Sequence, residues 1–169
     1  MPKYQYGCAK VEMGVFDPVT GLSSGWKEVD IYQNTIVVEE PEASRTDHFK
    51  QGDPNPKVSR FAPAVTTITQ SIMDVSAESK TEHLGGTKTT VGGVDTWNAP
   101  KKRVSSKVRS WRYTLEDGSI ITVPHTDTAS RNSFSLNDTD LAMIPQTIVV
   151  KSTGVESVSD FQWADAPED

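Results

Sequence analysis

Cys8 is the only cysteine in the 169 residues, which excludes an intrachain disulfide framework and a cysteine-cluster zinc site and fits folding in a reducing cytoplasm. Leucine is scarce, at 5 residues, and alanine stands at 10, against 18 Val, 8 Ile and 18 Thr. That imbalance favours strands, because side chains branched at Cβ lose rotamers in a helix and sit well on a pleated surface. No segment approaches the roughly 18 apolar residues that cross a bilayer as a helix, and the opening Met1-Pro2-Lys3-Tyr4-Gln5-Tyr6-Gly7 lacks the apolar core of a signal peptide. No membrane partner is expected. Seventeen Lys and Arg against 23 Asp and Glu leave a net charge of −6, which argues against a chain whose main task is to neutralise nucleic-acid phosphates.

The familiar marks of catalysis are missing. No serine sits in a nucleophile elbow, no glycine loop ends in Lys-Ser or Lys-Thr, and His48, His83 and His125 have no spacing that would place two of them on one metal. Each histidine reads most simply as a surface residue. Asp138-Thr139-Asp140 has the start of a calcium loop without its glycine and distal glutamate. The expectation is therefore no enzyme, no metal and no cofactor.

What is present suggests a single mainly β domain over residues 1–169, a β-barrel or sandwich with one short flanking helix. Val11, Met13 and Val15 alternate with Lys10, Glu12 and Gly14, the period-2 pattern of a strand with one buried face. A turn at Asp17 to Gly21 leads to a strand near Trp26, and Ile31 to Glu40 forms another. Residues 41–63 carry Pro41, Pro54, Pro56 and Pro63 and read as a long inter-strand loop, with Phe49, Val58 and Phe61 as apolar anchors. Ala64 to Ile72 is a strand with Ile68, Gln70 and Ile72 on one face and Thr67, Thr69 and Ser71 on the other. Asp74 or Ser76 caps a helix that ends at Gly85-Gly86. Thr87 to Trp97 reads as one irregular strand broken at Gly92-Gly93. Val104 to Leu115 then turns through Glu116-Asp117-Gly118-Ser119 into Ile120 to Val123, the clearest hairpin in the chain. Further strands are expected at Arg131 to Leu136 and Thr147 to Ser152, with a capped turn over Asn137 to Ile144. The acidic C-terminal segment, residues 154–169, is either a mobile tail or docked through Phe161 and Trp163.

Charge is unevenly placed. Lys101, Lys102, Arg103, Lys107, Arg109 and Arg112 form a stretch with no acid, either a solvated strand edge or a contact for an acidic partner. The opposing cluster is Glu39, Glu40, Glu42, Asp47 and Asp53.

The order of elements resembles the tail tube (major tail) proteins of long-tailed bacteriophages, whose fold is shared with type VI secretion tube proteins. Gly14 to Gly21 followed by Gly25-Trp26 looks like the first hairpin of some of these proteins, and Phe134 to Pro145 like their approach to the final strand. The resemblance implies a virion structural protein, assembled in the host cytoplasm, that forms hexameric, in some cases trimeric, rings stacked head to tail. DNA would pass through the lumen without specific binding, and sheath, terminator or baseplate proteins would adjoin the tube. Carried onto this chain, it implies that Thr35, Val37, Glu39, Thr67, Thr69, Ser71, Ser110 and Arg112 face the lumen. Inter-ring contact would run from Glu39, Glu40, Pro41, Glu42, Phe49, Val58 and Phe61 to the basic stretch Lys101, Lys102, Arg103, Lys107 and Arg109. The alternative is a β-sandwich binding module, such as a virion decoration or carbohydrate-recognising domain, with a ligand site on the long loop.

Overall fold

The computed structural model describes residues 7–102, 105–135 and 138–167. The chain is mainly β. In order, its elements are β1 (Cys8–Phe16), β2 (Ser23–Glu28), β3 (Val37–Glu39), β4 (Ser44–His48), β5 (Val58–Ala62), β6 (Thr67–Ile72), α1 (Ala77–Leu84), β7 (Thr87–Val91), β8 (Val94–Asn98), β9 (Lys107–Leu115), β10 (Ile120–Ser130), β11 (Ile144–Val150) and β12 (Gln162–Ala164). Eight strands make one antiparallel sheet that curls into a half-barrel, in the order β2-β1-β9-β10-β11-β6-β3. Its eighth strand, β12, pairs with Ile120 to Thr122 of β10, below the stretch Thr126 to Ser130 that β11 takes. Among the described residues the sheet does not close on itself: β2 and β3 are the ends of its main path.

Alternation sets the core. Val11 and Met13 of β1 stand opposite Tyr113 and Trp111 of β9, and Ile68 and Ile72 of β6 stand opposite Ile148 and Ile144 of β11. These eight side chains, with Ile121 and Val123 of β10, are buried. In both β6 and β9 the apolar core is formed by the phase that carries the large apolar side chains, Ile68 and Ile72 in one and Trp111 and Tyr113 in the other. Proline inside a central strand is tolerated because Pro124 sits where the β9–β10 register shifts, between Val123 and Thr126. Its carbonyl accepts the hydroxyl of the fully buried Ser110. The bulge carries β10 through to Ser130, so the separate strand expected at Arg131 to Leu136 does not form over Arg131 to Ser135, which make one isolated bridge, Ser133 to Met143. Leu136 and Asn137, and with them part of the expected capped turn, lie outside the described residues.

Ser76 caps α1 as expected, accepting the Ser79 amide at 3.2 Å, and Gly85 ends it. The helix lies over the core face at one end of the sheet. There Lys107 Nζ donates to two carbonyls of the helix's last turn, that of Thr81, which also accepts the Gly85 amide, and that of Glu82. The short hydrophobic inventory leaves polar groups to complete the interior. Tyr113 Oη donates to Gln70 Oε1 at 3.0 Å, Gln70 Nε2 to Gln146 Oε1 at 2.9 Å, and Gln146 Nε2 to Ser130 Oγ at 2.9 Å and to His83 Nδ1 at 3.3 Å. Every member of this chain except Ser130 is buried.

Two expectations about irregular segments are corrected. Residues 41–63 are not structureless, since β4 and β5 pair over five positions from Ser44 with Ala62 to His48 with Val58. Both strands have water on both faces, and Val58, Phe61 and Ala62 follow no period-2 alternation that would mark a strand there. Thr87 to Asn98 is a second hairpin, with Gly92 and Gly93 as its two-residue turn at φ +59° and +79°. Positive φ at both central positions is the turn geometry that matches strand twist, which glycine adopts freely. The strand expected over Ile31 to Glu40 shrinks to Val37–Glu39, preceded by a bridge from Ile31 to Ile72.

Candidate functional site

No cluster of metal-ligating side chains exists among the described residues, and none of their helices is long and apolar enough to cross a membrane. The candidate site is therefore a surface, made of the uncovered sheet face, the two sheet edges and the projecting hairpin.

Across the sheet from the core, side chains form transverse rows. Val37, Thr69, Thr147 and Ala129 are aligned by register and all exposed. Beside them run Glu39, Thr67, Val149 and Asp127, and Asp127 is paired with Lys151 at 2.6 Å. This is a threonine-rich wall, covered by no helix or second sheet layer among the described residues. Of the positions expected on a lumen wall, Val37, Glu39, Thr67, Thr69 and Ser71 lie on this face. Thr35 precedes β3, and its hydroxyl is held in the turn, donating to Tyr32 O at 2.6 Å and accepting from the Ser71 amide at 3.2 Å. Ser110 is enclosed by the subunit itself and cannot line a channel. The bulge that turns the Pro124 carbonyl toward its hydroxyl is the reason.

Arg112 does point to this side but is occupied. Its Nε donates to Glu12 Oε2 at 2.7 Å, the residue opposite it in the β1–β9 register, while its guanidinium lies 4.5 Å from the centre of the Trp26 ring. Lys10 reaches the same carboxylate at 3.0 Å. Those two cations, Arg112 foremost, hold the Glu12 carboxyl down to about 2 against the cost of burying it. Trp26 reaches this cluster because β1 has a glycine beneath it: a methyl group on Gly14 would come within 2.9 Å of Trp26 Cε3 and 3.0 Å of the Ser24 carbonyl oxygen. Gly14→Ala is expected to lift the indole, change its fluorescence and cost about 1–3 kcal/mol in a urea melt. Unchanged emission would show that the close approach is relaxed at no cost.

The expected basic patch is only partly available. Lys101 and Lys102 are exposed, Arg109 is half-buried, and Arg103 lies outside the described residues. Lys107 is removed from the patch: its ammonium is spent on the carbonyls of α1, and burial pulls its pKa down. Composition shows a run of bases but not that one of them lies on the core side of a strand, although strand parity with Trp111 and Tyr113 places it there.

The loop residues behave as a projecting arm. Glu39, Glu40, Pro41 and Glu42 are exposed ahead of it, and on it Phe49 is 59% exposed, Val58 54% and Phe61 65%. The β4–β5 hairpin joins no other strand among the described residues. Arg45 lies 5.7 Å from the Phe61 ring and pairs with Asp47 at 2.8 Å, which fixes the hairpin's own surface.

Sequence reasoning also misplaced His83. It is buried in the Gln146 network rather than on the surface, and burial lowers its pKa to about 4. His48 is exposed, and His125 is half-buried and stacked on Phe16 with ring centres 4.2 Å apart. At the C-terminal end, the docked alternative holds over Phe161 to Ala164: Phe161 packs on the core and β12 joins β10. Glu168 and Asp169 lie outside the described residues.

No protein-family model matches the chain, and no curated protein matches it in sequence.

Proposed function

We propose that the chain is a structural subunit that works by self-assembly, the tail tube subunit of a bacteriophage virion, and not an enzyme. The observation that carries this reading is a half-barrel left open at β2 and β3, with a broad threonine-rich face that no helix or strand among the described residues covers. Open edges expose unpaired backbone donors and acceptors, and joining subunits edge to edge into one large barrel removes them. The uncovered face would then become the channel wall. Its exposed basic groups are few, since Arg112 is paired with Glu12 and Lys151 with Asp127. A wall of hydroxyls and carboxylates makes few phosphate contacts, so DNA in transit would slide rather than bind. Sheath, terminator or baseplate proteins would be the neighbours of such a tube.

Light scattering with negative-stain imaging of the purified chain tests the reading. Rings or tubes are the expected result, and a monomer at high concentration overturns it. Replacing the β4–β5 hairpin (residues 44–62) by a short Gly/Ser linker should leave thermal stability within about 1 kcal/mol, because neither strand supports the main sheet. The same variant is expected to lose polymerisation, and normal tubes from it would show that the arm has no part in assembly.

A further inference from the structure

The core face of the sheet is open at one end. A groove of about 890 Å³ runs between β1 and β9 on one side and the segment from Glu28 to Val38 on the other. Its floor and walls include Ile31, Ile36, Val38, Met73, Leu115 and Trp163. Several of these apolar side chains are left in water, Trp163 at 51% exposure and Val38 at 43%. Sustained exposure of this kind marks a surface that is covered in the working assembly.

The same subunit carries an arm with the matching character. Phe49, Val58 and Phe61 are exposed on a hairpin tied to no other strand among the described residues. Residues 44–62 hold four bases, Arg45, Lys50, Lys57 and Arg60, against two acids, Asp47 and Asp53. Arg45 is paired with Asp47, and Lys50, Lys57 and Arg60 have no ion-pair partner among the described residues. The groove lining is opposite in sign: Glu28, Asp30 and Glu116 against Lys10. Lys10 is shared between Glu12 at 3.0 Å and Glu28 at 3.8 Å, which leaves Asp30 and Glu116 unpaired among the described residues.

We propose that the β4–β5 arm of one copy of this chain inserts its apolar residues into the core-face groove of a second copy, with Lys50, Lys57 and Arg60 meeting the carboxylates of Asp30 and Glu116. This names the partner surface for the arm within the self-assembly reading and rests on that reading. It replaces the charge pairing expected from sequence, an acidic loop against Lys101 to Arg112. The acidic residues Glu39 to Glu42 precede the hairpin, whose own net charge is positive. Arm and groove are different surfaces of one subunit, so their contact is head to tail and propagates. Exposed apolar area on both sides supplies affinity, and the charges set register and encounter rate.

The lone cysteine provides a reporter, because Cys8 lines the groove. Phe49→Cys, Val58→Cys and Phe61→Cys are made singly in the native chain and again with Cys8→Ser, checked for folding by circular dichroism, and oxidised with a copper catalyst. At least one is expected to give intermolecular disulfides to Cys8, mapped by mass spectrometry and absent in the Cys8→Ser partner. A charge-reversed arm, Lys50→Glu with Lys57→Glu and Arg60→Glu, should reduce that yield several-fold. Rings or tubes that form with no disulfide to Cys8 overturn the groove assignment and leave the tube reading standing. Disulfides to Cys8 in closed dimers or open chains support the groove and overturn the tube reading. An intramolecular Cys8 bridge, or a ladder that survives Cys8→Ser, overturns the groove proposal.

Discussion

Trp111→Ala is expected to remove about 3–5 kcal/mol of folding stability, the range for emptying a large aromatic site in a packed core. Trp111 is fully enclosed, packs with Val11, Met13, Tyr113 and Val123, and donates Nε1–H to Thr128 Oγ1 at 2.9 Å. Alanine at this position loses the ring's contacts and strands a cavity that the strand backbone cannot close. For a chain of this length about 1 kcal/mol corresponds to about 2–4 °C in melting temperature, so the midpoint should fall by roughly 10 °C or more. Trp111→Phe separates the two contributions. It keeps much of the apolar volume and removes only the indole donor, and Thr128 retains a contact to Thr126 Oγ1 at 3.3 Å, so the loss should be nearer 1–2 kcal/mol, about the cost of one buried hydrogen bond with some volume. Differential scanning calorimetry of both variants checks the ranking, and an alanine variant that melts within about 2 °C of the parent would show that the sheet repacks over the gap.

The core around Trp111 was legible because its strands keep strict parity. Val11 and Met13 alternate with Lys10 and Glu12, and Trp111 and Tyr113 with Ser110 and Arg112, so one phase names the apolar core, while the burial of Glu12 and Ser110 on the other phase escapes it. The helix was legible from local chemistry alone, a serine cap at Ser76 and a glycine stop at Gly85. The arm was not, because alternation is a contrast between wet and dry faces and β4–β5 has two wet ones. Prolines at Pro54 and Pro56, which suggested a loop, lie between its strands. The buried amide network was half legible. Gln70 shares the parity of Ile68 and Ile72, which places it inside, yet nothing in the sequence says that Gln146 arrives from 76 residues away to accept its amide, or that His83, 63 residues from Gln146, extends the network. Long-range register decides that, and a single sequence does not encode register in any local pattern. The groove and its arm share the same origin: each looks like an ordinary polar-rich connection until the sheet curls and leaves Ile31, Ile36 and Val38 uncovered.

Acid should weaken the fold in two separable steps, the upper one set by His83 and the lower by Glu12. Burial is the main cause of the low His83 pKa, with Arg109, Lys107 and Lys27 adding to it and Glu82 opposing. Geometry agrees, since Nδ1 accepts from the Gln146 amide and must be unprotonated to do so. Between its ordinary value of 6.5 and about 4, the unfolded chain therefore binds a proton that the folded chain refuses. Stability is complete above that window, declines as pH falls through it, and levels off for this group below it; the total is about 3 kcal/mol. Glu12 acts in the same direction but lower. Its carboxyl is held at about 2 by Arg112 and Lys10, against 4.5 ordinarily, so its contribution is present above 4.5 and is lost as pH falls through the range down to about 2. Urea midpoints measured from pH 8 to pH 3 should show both declines in the native chain. His83→Gln, which keeps a polar group beside Gln146 but cannot take up a proton, should flatten the curve between 6.5 and 4 and leave the lower decline in place. Glu12→Gln should do the reverse, with a general loss of about 1–3 kcal/mol at neutral pH because Arg112 loses its charged partner. Identical pH profiles for the native chain and His83→Gln would place the acid sensitivity elsewhere and remove His83 from it.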